Sequence, residues 1–282
     1  MVPPTPGPLL AIGGAEDRTG RRAVLSAFVE AAGGAGAHIV VVPTASSLGP
    51  QITGVYSAVF ATLGADEVRE VHPRTRADAD DPALVEALDG ATGVFLTGGN
   101  QLRLSTVVCG TRFGAAVRDA HRQGVAVGGT SAGASVLSTH MVAFGSGGST
   151  PKQRMTQLAS GLGLVDGCVI DQHFAQRNRY GRLLSLVAQS PDLLGIGVDE
   201  DTAAVVTERR WLDVVGRGVV TLLDGRAVVS DAHSAKRTAP LLVSGAVLHT
   251  LPAGARFDLC ERALVGPAGA VHPAPDPQEA GA

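Results

Sequence analysis

Ser131 lies within Val125-Ala126-Val127-Gly128-Gly129-Thr130-Ser131-Ala132-Gly133-Ala134-Ser135, a short apolar run that breaks into small residues able to start a helix. A serine at such a break has the layout of a nucleophile elbow, where a tight strand-to-helix turn lifts Oγ clear of the backbone. Gly129, Ala132 and Gly133 leave room for that turn, and glycine accepts backbone angles that a β-carbon forbids. The helix start directs free backbone N–H groups toward any oxyanion forming beside Ser131. A bare G-x-S-x-G pattern also describes an ordinary tight turn, so the remaining partners must be found elsewhere. A serine nucleophile needs a base within hydrogen-bond reach and a group that orients the base. His173, in Asp171-Gln172-His173 at the end of an apolar run, is the best-placed histidine. A structural histidine fits there too, and Asp171-x-His173 fits a metal-ligand pair. No second His or Cys cluster supplies the other ligands, so neither metal nor cofactor is expected.

The elements that must hold these residues follow from hydrophobic spacing. Strand-like runs at residues 9–12, 38–42, 68–72, 94–96 and 125–127 alternate with helical patterns at 21–32, 51–63, 81–88 and 105–122. Gly110 and Gly114 weaken the last of these helices. The runs are nearly continuous in apolar content, as strands buried on both faces require. This predicts an α/β fold with a parallel sheet and helices on both faces. Loops leaving the carboxyl ends of such strands build the site. Four of them carry unusual residues: 13–17, 97–101, the Ser131 elbow and 171–173. Beyond residue 196 the pattern turns to strands at 203–207, 211–215, 219–223 and 227–229, with Asp224-Gly225 as a hairpin signal. Extra antiparallel strands attached to the parallel sheet are expected. Residues 1–266 read as one catalytic domain, and residues 267–282, rich in Ala, Pro and Gly, as a disordered tail.

Composition narrows the function classes. A chain of 282 residues with formal net charge −3 gives no electrostatic reason to bind nucleic acid or an anionic membrane. Cys109, Cys168 and Cys260 are widely spaced and odd in number, which suits buried or inert thiols rather than a disulfide framework. No basic, apolar leader is visible, so a soluble cytoplasmic protein is expected.

Five blocks together resemble the cyanophycinase family of serine peptidases, which is related to the aspartyl dipeptidases called peptidase E. They are residues 13–17, 97–101 and 129–134, the block Asp171-Gln172-His173-Phe174 with Arg177, Arg179 and Arg182, and residues 195–200. The resemblance runs from about Leu9 to Val206, in the family's order. It implies a flavodoxin-like sheet, similar to the class I glutamine amidotransferases. It also implies a cofactor-free exopeptidase that degrades cyanophycin, a poly-aspartate carrying arginine on each β-carboxyl, to β-aspartyl-arginine. Many members are homodimers. By this resemblance Ser131 is the nucleophile and His173 the base, and N–H groups of Gly98, Gly99 and Ala132 hold the oxyanion. Gln101, Asp171, Gln172 and Glu200 are polar groups for a guanidinium and a peptide amide, and Arg177, Arg179 and Arg182 would pair with substrate carboxylates. A solvated helix face is the competing reading of these arginines.

One departure from the family pattern concerns the third triad member. Residues 132–165 contain no Asp or Glu, and Ser149 stands near the place of the expected acid. Glu200, at the end of an apolar run, is the preferred orienter, with Asp171 behind it. Two other classes remain: another hydrolase of the family, such as an aspartyl dipeptidase or arginine isopeptide hydrolase, and a catalytically silent binding homologue.

Overall fold

The computed structural model describes residues 4–265. The first half of the chain builds five parallel strands, β1 (Leu9–Ile12), β2 (His38–Val42), β3 (Glu67–Glu70), β4 (Gly93–Leu96) and β5 (Ala126–Thr130). They lie in the order β1-β5-β4-β2-β3. Their side chains sort by parity, as a period of two demands. Leu10, Ile12, Ile39, Val41 and Phe95 face one core. Leu9, Ala11, Val40, Val42 and Leu96 face the other. Helices α1 (Ala23–Ala31) and α2 (Pro50–Thr62) cover the first face. There the rings of Phe28, Phe60 and Phe95 meet with centroids 5.1–5.5 Å apart. Removing one such ring, as in Phe28→Ala, costs about 3–5 kcal/mol in a close-packed core.

Two short helices, α3 (Arg76–Ala79) and α4 (Pro82–Glu86), replace the single helix expected at 81–88. Thr75 and Asp81 each cap one of them, and Pro82 cannot continue the first. The expected 105–122 helix is likewise two, α5 (Gln101–Val108) and α6 (Arg112–Arg122). Gly110, at φ +72°, turns the chain where a side chain would be strained, and Thr111 caps α6 through the Gly114 N–H. These helices and α7 (Ala132–Ser135) cover the second face.

After α7 the chain makes a ribbon of β6 (His140–Gly145) and β7 (Thr156–Ser160), then β8 (Cys168–Gln172), α8 (Tyr180–Gln189) and β9 (Leu194–Val198). Here the strands divide between two main sheets, and the expected antiparallel additions to the parallel sheet account for only part of them. β8 and β9 pair in parallel inside a separate four-stranded sheet, completed by β12 (Val219–Asp224) and, later, the strand Val247–Pro252. This sheet packs through Ile170, Ile196 and Leu222 on the second face of the large sheet, with α8 beyond it. Only β10 (Thr202–Thr207) and β11 (Trp211–Gly216) extend the large sheet directly, antiparallel beside β1; Arg256–Asp258 and Ala263–Leu264 follow at its edge. Asp224-Gly225 makes no hairpin. Both edges of β12 are already occupied, so the next run, Val229–Ser230, pairs with Val243–Ser244 instead. The expected tail lies outside the described residues.

Candidate active site

The carboxyl ends of both sheets meet at the Gly13-Gly14 peptide. Its carbonyls accept from His173 N–H (2.8 Å) and Asp201 N–H (2.9 Å), and Gly13 N–H donates to Thr202 (2.9 Å). The His173 turn and the Asp201-Thr202 turn are thereby tied to the end of β1. Gly14, at φ +97°, has to be glycine on a second count, because a β-carbon there would stand 2.4 Å from the His173 ring. On the other side of β1, Ser131 N–H donates to the Ile12 carbonyl (2.9 Å), which fixes the elbow beside the histidine.

Ser131 adopts φ 51°, ψ −109° and His173 φ 47°, both in regions that side chains disfavour. Such strain costs about 1–3 kcal/mol per residue and persists only where surrounding bonds impose it. The result is a relay. Ser131 Oγ lies 3.0 Å from His173 Nε2, and His173 Nδ1 lies 2.6 Å from Glu200 Oε1. A carboxylate only accepts, so Nδ1 carries the proton and Nε2 is free to accept the serine hydroxyl. Burial holds the His173 pKa below its ordinary value; the Glu200 hydrogen bond opposes this, and the charge of Arg177 adds to it. The base is therefore neutral and proton-accepting at pH 7. The N–H groups of Gly98, Gly99 and Ala132 donate to no protein acceptor among the described residues, as an oxyanion site requires.

Gln172 Nε2 donates to Gln101 Oε1 (2.9 Å), and its own Oε1 stands 3.4 Å from Ser131 Oγ. Gln101 is in turn anchored on the carbonyls of Val142 and Ala143. Ser149 is not part of this arrangement: its exposed hydroxyl, in the β6–β7 loop, makes no hydrogen bond among the described residues.

The structure corrects the roles expected of Asp171, Arg179 and Arg182. Asp171 is 1 % exposed, and its carboxylate accepts from Arg179 (2.8 Å), Arg182 Nε (2.8 Å) and Arg182 Nη2. Arg182 also holds the Gly145 carbonyl of β6 (2.8 Å) and Arg179 the Gln172 carbonyl. These three side chains are spent on each other, locking β8, β6 and α8 behind His173. They offer no open face to a substrate, to His173 or to a metal. Burial brings the Arg179 guanidinium down to about 10, although Asp171 beside it acts in the opposite sense. Two guanidiniums on one carboxylate leave an excess positive charge behind the histidine. Arg177, in contrast, is exposed and forms no ion pair among the described residues. Of the thiols, Cys168 is buried and pushed up to about 12 by desolvation, whereas Cys260 is exposed.

Two carboxylates were missed by pattern alone. Asp199 Oδ1 accepts from Ala175 N–H (3.0 Å) and Oδ2 from Val219 N–H (3.3 Å), which holds the turn after His173. Buried Glu16 accepts from the Tyr56 hydroxyl (2.6 Å) and from Thr130 Oγ1 (2.5 Å), next to Ser131. Its placement in the Gly-Gly-Ala-Glu-Asp loop was the available signal.

A nucleophile elbow at the carboxyl edge of a parallel sheet, with a histidine and a carboxylate in line, defines a hydrolase of the serine type. The chain matches the profile of peptidase family S51 over residues 9–213, and it belongs to that family. It is 41 % identical over 260 residues to the cyanophycinase of Nostoc sp. (strain PCC 7120), covering 91 % of this chain and 87 % of that one. With the cyanophycinase of Geminocystis herdmanii it shares 38 % identity over 252 residues, covering 89 % and 93 %. The fold resembles a peptidase from an acI-B1 Actinobacterium (TM-score 0.61, 23 % identity, 87 % of this chain and 98 % of that one). It also resembles a putative peptidase E from Listeria monocytogenes EGD-e (TM-score 0.51, 15 % identity, 75 % and 98 %).

Proposed function

We propose that this chain hydrolyses cyanophycin, releasing β-aspartyl-arginine as a serine-type exopeptidase. The reading is carried by the continuous run from Ser131 through His173 to Glu200, and it takes its substrate from the cyanophycinases to which the chain is 38–41 % identical. Ser131 Oγ attacks the carbonyl of a backbone peptide bond while His173 Nε2 takes its proton. Glu200 holds Nδ1–H and offsets the imidazolium charge. The carbonyl oxygen becomes an oxyanion in front of Gly98, Gly99 and Ala132. Collapse breaks the C–N bond, and the imidazolium gives its proton to the leaving amine. Water, deprotonated by His173, then cleaves the acyl-serine ester and regenerates the hydroxyl. Gln172, bridged to Gln101 and near Oγ, lies within reach of the peptide amide.

Incubation of the purified protein with insoluble cyanophycin tests this. Clearing of the suspension with β-aspartyl-arginine as the soluble product is expected. Intact polymer beside hydrolysis of short aspartyl dipeptides would favour the aspartyl dipeptidase alternative.

A further inference from the structure

Beside Ser131 lies a hollow of about 290 Å³ that none of Gln101, Gln172 or Arg177 lines. It is bounded by Arg18, Ser46, Tyr56, Gly98, Gly99 and Ser131, and Glu16 also lines it. A carbonyl bound between Ser131 and the N–H groups of Gly98 and Gly99 must present one of its flanking groups to this space. Glu16 is already committed there, because both its oxygens accept hydroxyl protons, from Tyr56 and Thr130. Ser46 Oγ accepts from Leu48 N–H (3.0 Å). Arg18 is different. Its half-buried guanidinium stands 5.7 Å from the centre of the Tyr56 ring and forms no ion pair or hydrogen bond among the described residues. An aromatic face restricts such a group without neutralising it.

The corrected roles of Arg179 and Arg182 give this cation its meaning. The expected substrate carries one free carboxylate on every arginine branch, and the two buried arginines meant for it are saturated by Asp171. We propose that the hollow is a second substrate subsite, in which Arg18 pairs with the arginyl carboxylate of the repeat unit adjoining the scissile bond. Guanidinium and carboxylate match in a two-point contact, which makes Arg18 a determinant of specificity. The proposal rests on the cyanophycin reading given above.

The test pairs a change in the protein with a change in the substrate. Soluble cyanophycin oligomers are compared with the same oligomers whose arginine carboxylates are primary amides, using the wild-type protein, Arg18→Ala and Arg18→Lys. On the acid substrate, Arg18→Ala should lose about tenfold in kcat/KM, chiefly through KM, with Arg18→Lys in between. On the amide substrate the gap between wild type and Arg18→Ala should shrink to within about threefold, because the partner of the guanidinium is gone. An equal loss on both substrates, or no loss on either, overturns the subsite while leaving cyanophycin hydrolysis standing. A wild-type protein that cleaves neither oligomer overturns the hydrolysis reading and the subsite with it.

Discussion

Asp171 and Glu200 stand at the carboxyl ends of neighbouring parallel strands, and each faces basic nitrogen atoms, yet they do opposite work. Asp171 is 1 % exposed and accepts from two guanidiniums and from the Gln172 N–H. Glu200 keeps 32 % of its side chain exposed and binds a single ring nitrogen at 2.6 Å. The first carboxylate is buried and held by four hydrogen bonds, which leaves it too fixed to respond to a reaction. The second meets a group whose charge changes in the proposed turnover, so its interaction would strengthen as imidazolium forms. Burial with full saturation therefore marks a fixture, and partial exposure with one titratable partner marks a participant, even where the two sequences look equally polar.

Substitutions sharpen that contrast. Ser131→Ala should lower kcat by roughly 10⁴-fold or more, since the remaining groups have no nucleophile to serve. Its melting temperature should match wild type, which thermal unfolding beside steady-state kinetics would check. Asp171→Asn leaves Arg179 and Arg182 buried without a counter-charge, a loss of about 3–5 kcal/mol when one partner of a buried pair is removed. Lower melting temperature and poor soluble yield are the expected signs, measured by denaturation. Glu200→Gln should do the reverse, lowering kcat about 10³-fold with little change in melting. An Asp171→Asn protein that melts like wild type while losing only kcat would reverse the comparison.

Much of this was legible in the residues. The elbow, the histidine at a strand end and Glu200 are each marked by an apolar run ending in polar or small residues. Parallel strands with near-continuous apolar content announce themselves through burial on both faces. The pairing of β8 and β9 in a second sheet was not legible, because Cys168-Val169-Ile170 is as apolar as a central strand of the large sheet and pattern alone carries no partner. The arginines failed for a related reason. Arg177, Arg179 and Arg182 look alike in the chain, and only α8 separates the buried pair from the exposed one. Glu16 was hidden because its hydroxyl partners, Tyr56 and Thr130, lie 40 and 114 positions away.

The finest distinction between participant and fixture is in pH dependence. The acidic limb of kcat/KM reports the pKa of the free base, here His173, which must be neutral to take the serine proton. Activity is lost as pH falls through that value, which burial keeps below the ordinary 6.5. The Glu200 hydrogen bond raises it and the Arg177 charge lowers it. Glu200→Gln should therefore move the limb to lower pH, and Arg177→Ala should move it to higher pH, the smallest of the effects expected here. Salt separates the two causes. Arg177 is exposed, so its influence should fade as ionic strength rises, whereas a direct hydrogen bond at 2.6 Å is barely screened. Profiles recorded at low and high salt for wild type and both variants would show this. A limb that stays in place in both variants would mean that burial alone sets the base, and that neither neighbour tunes it.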